Sequence, residues 1–98
     1  MSADDFADSM FEAIKALQRD LPENMKLRFY GQGKDGVDFR VGHIQISPAG
    51  LAILSGKDTS GNSVYAVSHF QRMHFVCEIS ELKANEPKEE RKQIGFSR

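Results

Sequence analysis

The stretch that decides the fold runs from residue 37 to residue 46 and reads Val-Asp-Phe-Arg-Val-Gly-His-Ile-Gln-Ile. Apolar and polar residues alternate in it, which is typical of a β-strand with one buried face. The apolar residues before Gly42 have odd numbers, and those after it have even numbers. A bulge or kink at Gly42-His43 would absorb this slip and keep both halves on the core side. We therefore predict one long strand, bent at Gly42 as in small β-barrels.

Four further strands are predicted around this bent strand. Together the predicted strands cover residues 25–30, 37–46, 51–55, 64–68 and 73–79. Turn residues separate them, including the favoured hairpin pair Asp35-Gly36, a tight turn at 47–50 and a polar loop at 56–63. In the last strand the alternation is expected to point Cys77 into the core.

An amphipathic helix is predicted over residues 4–21. Ser2 or Asp4 can cap its start, and Pro22 marks its exit. Three- and four-residue spacing places six apolar side chains on one face, namely Phe6, Met10, Ala13, Ile14, Leu17 and Leu21. The expected fold is α+β: this helix and a strongly bent five-stranded antiparallel sheet in one domain over residues 1–82, then a charged, mobile C-terminal tail over residues 83–98.

The composition indicates one globular domain. The chain has 98 residues, of which 40% are hydrophobic and 28% charged, with a net charge of −1. No segment is basic enough to bind a phosphate backbone by charge alone, so RNA is a possible but disfavoured partner. No apolar run approaches the roughly 20 residues of a membrane span, so no membrane association is expected. A single cysteine and an acidic start favour the cytoplasm.

The glycines of Gly31-x-Gly33-x-x-Gly36 have the spacing of a dinucleotide-binding loop. That loop functions only where a helix N-terminus follows to receive the pyrophosphate. The alternating stretch after Gly36 predicts a strand instead. These glycines are therefore interpreted as turn residues, and no cofactor is predicted.

Metal binding and catalysis have little support. His74 and Cys77 are three apart on a predicted strand and point to opposite faces. His69 and His74 could converge across a turn, but two ligands do not make a zinc site. No metal site and no catalytic residue are predicted, and a small enzyme with a shallow site near His69 and His74 is a remote alternative.

The most suggestive binding residues lie between positions 65 and 72. Tyr65 and His69 share a strand face, and Gln71 and Arg72 follow at the turn. Together these side chains could stack on and hydrogen-bond a base, or hold a peptide. The alternative is that Tyr65 covers the sheet and the polar residues solvate the turn.

Two apolar residues interrupt the charged tail. Ile94 and Phe96 flank Gly95 in the run Lys-Gln-Ile-Gly-Phe at residues 92–96. The tail is either disordered, or it docks Ile94 and Phe96 into a groove on its own sheet or on that of a neighbour.

Two resemblances follow from these patterns. The order of a helix and five strands over residues 4–80, with Tyr65 and His69 ahead of the last strand, resembles the small SH3- or Sm-like barrel of the bacterial RNA chaperone family. That family carries a Tyr-Lys-His loop there, whereas this chain lacks the lysine. Residues 29–32, the Ser-His-Phe-Gln-Arg-Met-His-Phe run at 68–75 and Ile-Gly-Phe at 94–96 are similar to a family of small bacterial domains of unknown function.

These observations favour a non-enzymatic interaction module. A small curved sheet has open edges that another chain can extend, so self-association into a homo-oligomer through those edges is expected, with other protein partners unknown. The alternative, implied by the first resemblance, is an Sm-like ring that binds RNA through Tyr65, His69 and Arg72.

Overall fold

A computed structural model describes residues 2–86 and 94–97. These described residues form one helix, six strands and two short 3-10 turns. The helix and strands are α1 (Ala3–Arg19), β1 (Met25–Gln32), β2 (Asp38–Ile46), β3 (Leu51–Lys57), β4 (Ser63–His69), β5 (Val76–Glu81) and β6 (Gly95–Ser97). The 3-10 turns are Lys34–Gly36 and Phe70–Arg72.

The strands form a single open sheet in the order β4-β3-β2-β1-β5. All neighbours on this path are antiparallel, and β6 adds to β2 in parallel. The predicted α+β class, with a helix ahead of a strongly bent antiparallel sheet, is confirmed. The sheet does not close into a barrel, because β4 and β5 stand at the two ends of the path.

The predicted bend of β2 is confirmed. The register between β2 and β3 shifts between Val41 and His43, and all four apolar side chains of β2 are at most 2% exposed. The bulge gives the two halves of the strand different neighbours, with β1 beside the first half and β6 beside the second. Val37 was expected on the buried face, but it precedes the strand and is 57% exposed.

The face that the helix presents to the core overlaps the expected one but is rotated from it. Ile14 and Leu21 are buried, and Phe6 and Met10 are half-buried against the core, whereas Ala13 is exposed. Ser2 caps the helix by accepting a hydrogen bond from the Asp5 N–H at 3.1 Å. Its buried residues are Ala3, Ala7, Phe11 and Ile14. Leu17, expected in the core, is 39% exposed. The apolar residues of this helix can be grouped by three- and four-residue spacing into two overlapping faces. The sheet covers the face that contains Phe11.

The fifth strand begins later than expected, at Val76 rather than Met73. Cys77 packs against the core as expected, but it is only half-buried because β5 lies at the edge of the sheet. Burial nevertheless raises the pKa of the Cys77 thiol. Ile79, paired with the buried Leu27, remains 47% exposed for the same reason.

The chain after β5 returns to β1. The Lys26 ammonium lies 2.8 Å from the Glu86 carboxylate, and an Arg28 Nη lies 3.0 Å from it. Residues 83–98 were expected to form a mobile tail, but residues 83–86 pack on the domain and residues 95–97 form β6. Residues 87–93 lie outside the described residues.

Replacing Glu86 with glutamine is expected to destabilise the protein at neutral pH and to have no effect in acid. The hydrogen bond from Lys26 is the main cause that lowers the pKa of Glu86. A carboxylate with a lowered pKa stabilises the fold above its unfolded pKa of about 4.3, and this contribution is lost as the pH falls through the folded value. Urea unfolding from pH 7 down to about pH 2.5 would measure the difference between wild type and variant.

The matched control is Glu81→Gln, because Glu81 forms no ion pair within the described chain. A difference between wild type and Glu86→Gln that stays constant across the pH range would contradict the assignment.

Candidate interaction surfaces

Three described strands have only one neighbour each: β4 and β5 at the ends of the main path, and the three-residue β6, which pairs only with β2. Among the described strands, β4 pairs only with β3, and β5 pairs only with β1. The outer N–H and C=O groups of an edge strand are a template for another strand. These two surfaces are called here the β4 edge (residues 63–69) and the β5 edge (residues 76–81).

Exposed apolar side chains concentrate at the two edges. Tyr65 and Val67 on the β4 edge are 68% and 58% exposed, and Val76 on the β5 edge is 62% exposed. The large hydrophobic side chains exposed in the described chain are Leu17, Val37, Leu51, Tyr65, Val67, Val76 and Ile79. Only Val37 lies away from both edges, because Leu51 pairs with the end of β4 and Leu17 lies near Ile79.

The two edges differ in charge. The β5 edge carries the exposed carboxylates of Glu78 and Glu81. The β4 edge contains no acidic residue, and Lys57 lies opposite its first residue while Arg72 follows its last. The β4 edge is thus neutral to basic, and the β5 edge is acidic.

An apolar groove extends the β5 edge toward the helix. It has a volume of about 510 Å³ and lies between the C-terminal half of α1 and Ile79. Leu17 and Leu21 line it, with Asp20 as its one charged residue. Leu17, which was expected to complete the helix's buried face, therefore borders an uncovered surface, whereas Leu21 is buried as expected.

The four binding residues proposed from the sequence lie on β4 and on the 3-10 turn that follows it. Tyr65 and His69 are both exposed on alternate positions of β4, while Gln71 and Arg72 are exposed on the following 3-10 turn. The His69 ring has a local role, because its Nδ1 accepts a hydrogen bond from the Gln71 N–H at 3.2 Å and so caps the turn. Tyr65 and Arg72 form no side-chain hydrogen bond or ion pair with the described residues.

A small cavity lies beside His74. This cavity of about 200 Å³ is lined by the polar side chains of Gln32, Ser68, Arg72 and His74 above an apolar floor. No carboxylate lines it that could act with His74 as an acid or base. Within residues 2–86 and 94–97, no three His, Cys, Asp or Glu side chains come together to hold a metal ion.

The two apolar residues of the tail pack on the chain's own domain. Phe96 stacks on Phe11 with ring centroids 4.4 Å apart, and the Lys15 ammonium lies 5.7 Å from the centre of the Phe96 ring. Ile94 and Phe96 are half-buried against the main core. The partner of Phe96 was missed in the sequence, because Phe11 lay outside the predicted helix face.

The β5 edge was also missed as a site. Val76 and Ile79 are three apart, so they face opposite sides of the strand, and neither belongs to a recognisable motif. Their exposure depends on β5 being the last strand in the sheet, which no local pattern of residues reveals. In the sequence, the acidic residues Glu78 and Glu81 were the one indication that this strand lies at an edge, because charged side chains are common on edge strands.

In the described part of the chain, no helix is both long and apolar enough to cross a membrane. Comparison with protein-family models, with curated proteins and with solved structures gives no match for this chain. The two resemblances noted from the sequence therefore remain predictions.

Proposed function

We propose that this chain is a non-enzymatic interaction module that self-associates by pairing the β4 edge of one copy with the β5 edge of the next. The observation that supports this most is the clustering of exposed apolar side chains along the two unpaired edges. Protein edge strands are commonly protected by charge, proline or a covering segment. Here the β4 edge contains no Asp, Glu, Lys or Arg, and the β5 edge exposes Val76 beside the carboxylates of Glu78 and Glu81. Exposed apolar side chains on an unpaired edge favour pairing with another strand.

The charges favour pairing of the β4 edge with the β5 edge over pairing of two identical edges. A two-fold pairing of β5 with β5 would bring the carboxylates of Glu78 and Glu81 near those of the partner copy, and like charges across a strand pair are destabilising. Pairing β5 with the β4 edge brings them near the basic flank of β4, formed by Lys57 and Arg72. Head-to-tail contacts of this kind generate a ring where the rotation closes, or an open filament where it does not.

The apolar groove beside Ile79 strengthens the β5 side of this contact. A strand added to β5 continues both faces of the sheet, so its inward side chains lie over Cys77, Ile79 and the groove. The half-buried Val64 and Ala66 are the inward side chains of β4. In the assembly they would cover apolar surface that α1 leaves exposed.

The test is light scattering during size-exclusion chromatography of wild type, Val67→Lys and Val37→Lys. Wild type is expected at a multiple of the 11.0 kDa chain mass, and Val67→Lys at the monomer mass under the same conditions. Val37→Lys is the matched control, because Val37 is equally exposed but lies off both edges, and it should keep the wild-type mass. A monomeric wild type, or equal effects of the two substitutions, would refute the proposal.

An RNA-binding ring is the second candidate. Tyr65 is the most exposed of the large hydrophobic residues in the described chain, and Arg72, on the turn after β4, forms no ion pair with the described residues. Tyr65 could therefore stack on a base and Arg72 contact a phosphate. The same chromatography, read at 260 and 280 nm, distinguishes this candidate. Excess absorbance at 260 nm in the assembled fraction would favour it, and its absence would leave the protein-interaction module.

A further inference from the structure

The strand β6 occupies a defined groove on the C-terminal half of β2. Residues 95–97 pair in parallel with residues 43–45, and this edge of β2 becomes available because the bulge turns it away from β1. Phe11 and Lys15 of the helix form the inner wall of the groove, where they contact the Phe96 ring. The groove is therefore built by two elements, β2 and α1, that belong to the domain without its tail.

The groove selects among side chains at each position of the segment. At position 95, an added Cβ would lie 2.9 Å from Nδ1 of His43, so only glycine fits without moving that ring. The ring is fixed from its other side by a 3.0 Å hydrogen bond between His43 Nε2 and Ser97 Oγ. At position 96, an aromatic ring stacks on Phe11. Ile94 adds a half-buried apolar contact.

We infer that this groove is a recognition site for an extended Ile-Gly-Phe-Ser segment, and that it accepts that segment from a second copy of the chain as well as from its own tail. The attachment of β6 is small, with three paired residues and half-buried side chains, so it can open locally without unfolding of the sheet. The vacated groove of one copy can then bind the segment released by another copy. This exchange uses β2 and α1 rather than the β4 and β5 edges, so it stands independently of the proposed function.

The experiment uses the full chain with the substitution Phe96→Ala, which weakens the chain's own tail in the groove. The isotope-labelled variant is titrated with a seven-residue peptide of sequence Lys-Gln-Ile-Gly-Phe-Ser-Arg, and the backbone amide shifts are followed by NMR. Saturable shifts are expected at Phe11 and at residues 43–45. Wild type should bind the peptide at least tenfold more weakly, because its own tail holds the groove at a high effective concentration.

The control peptide carries valine at the glycine position and should not bind, since its Cβ meets His43. A full-length Gly95→Val chain provides a second vacated host in which the core aromatic rings are unchanged. The inference is overturned if neither folded variant shows saturable shifts with the wild-type peptide. It is also overturned if the valine peptide binds as well as the wild-type peptide.

Discussion

Gly56→Ala is expected to destabilise the fold by about 3 kcal/mol or more, at the upper end of the range for overpacked sites. Gly56 lies on β3 opposite Val41, at the point where the register with β2 shifts. A Cβ at Gly56 would overlap the carbonyl group of Arg40, and backbone cannot move aside as the end of a side chain can. Urea unfolding followed by circular dichroism would measure the loss in the free energy of unfolding.

Gly42→Ala is the matched control, because Gly42 lies on the facing strand at the same bulge. The nearest atom to a Cβ there is the Ser55 carbonyl oxygen at 4.0 Å, and Gly42 is not among the glycines with positive φ. Its substitution is expected to change the free energy of unfolding by about 0.5 kcal/mol or less. Equal losses for the two variants would show that the bulge needs glycine on both strands.

Mixing two assembly-deficient variants is expected to restore one interface and no more. Val67→Lys blocks the β4 edge and keeps the β5 edge, whereas Val76→Lys does the reverse. Each variant alone should be monomeric. An equimolar mixture should form a heterodimer of about 22 kDa, twice the 11.0 kDa chain mass, through the two intact edges.

The same mixture separates head-to-tail pairing from two-fold pairing. If β4 paired with β4, the Val76→Lys variant would assemble by itself and the Val67→Lys variant would add nothing to it. If β5 paired with β5, the Val67→Lys variant would assemble by itself and the Val76→Lys variant would add nothing to it. Either result would refute the pairing of unlike edges, and sedimentation velocity of the single variants and of the mixture would detect it.

The bend of β2 could be predicted because the pattern of apolar residues changes at the point where the strand bends. The parity of the buried residues changes at Gly42, and only a bulge keeps both halves in the core. The residue that needs to be glycine there could not be predicted. Gly56 was expected in a polar loop, but β3 continues through it to Lys57, and its steric constraint comes from the facing strand.

The helix face and the edges of the sheet depend on information that local patterns do not contain. Spacing in α1 allows either Phe11 or Leu17 to point inward, and the choice depends on a partner, Phe96, that is distant in the chain. Likewise, Val76 and Ile79 are exposed because nothing in the described chain pairs beyond β5. The contact between His69 and Gln71 is local in sequence, whereas the grouping of Tyr65 and Arg72 with them into one binding site stays a prediction.

The pairing of β5 with β1 has a consequence for how the chain folds. Strands β1, β2, β3 and β4 follow one another through short turns and can pair early, whereas β5, the second neighbour of β1, comes from the other end of the domain. Until β5 arrives, the edge of β1 is unpaired beside Leu27 and Phe29, both of which are buried in the final fold. Before β5 pairs, this apolar edge of β1 is therefore open to pairing with another chain, although β1 is paired on both sides in the native protein.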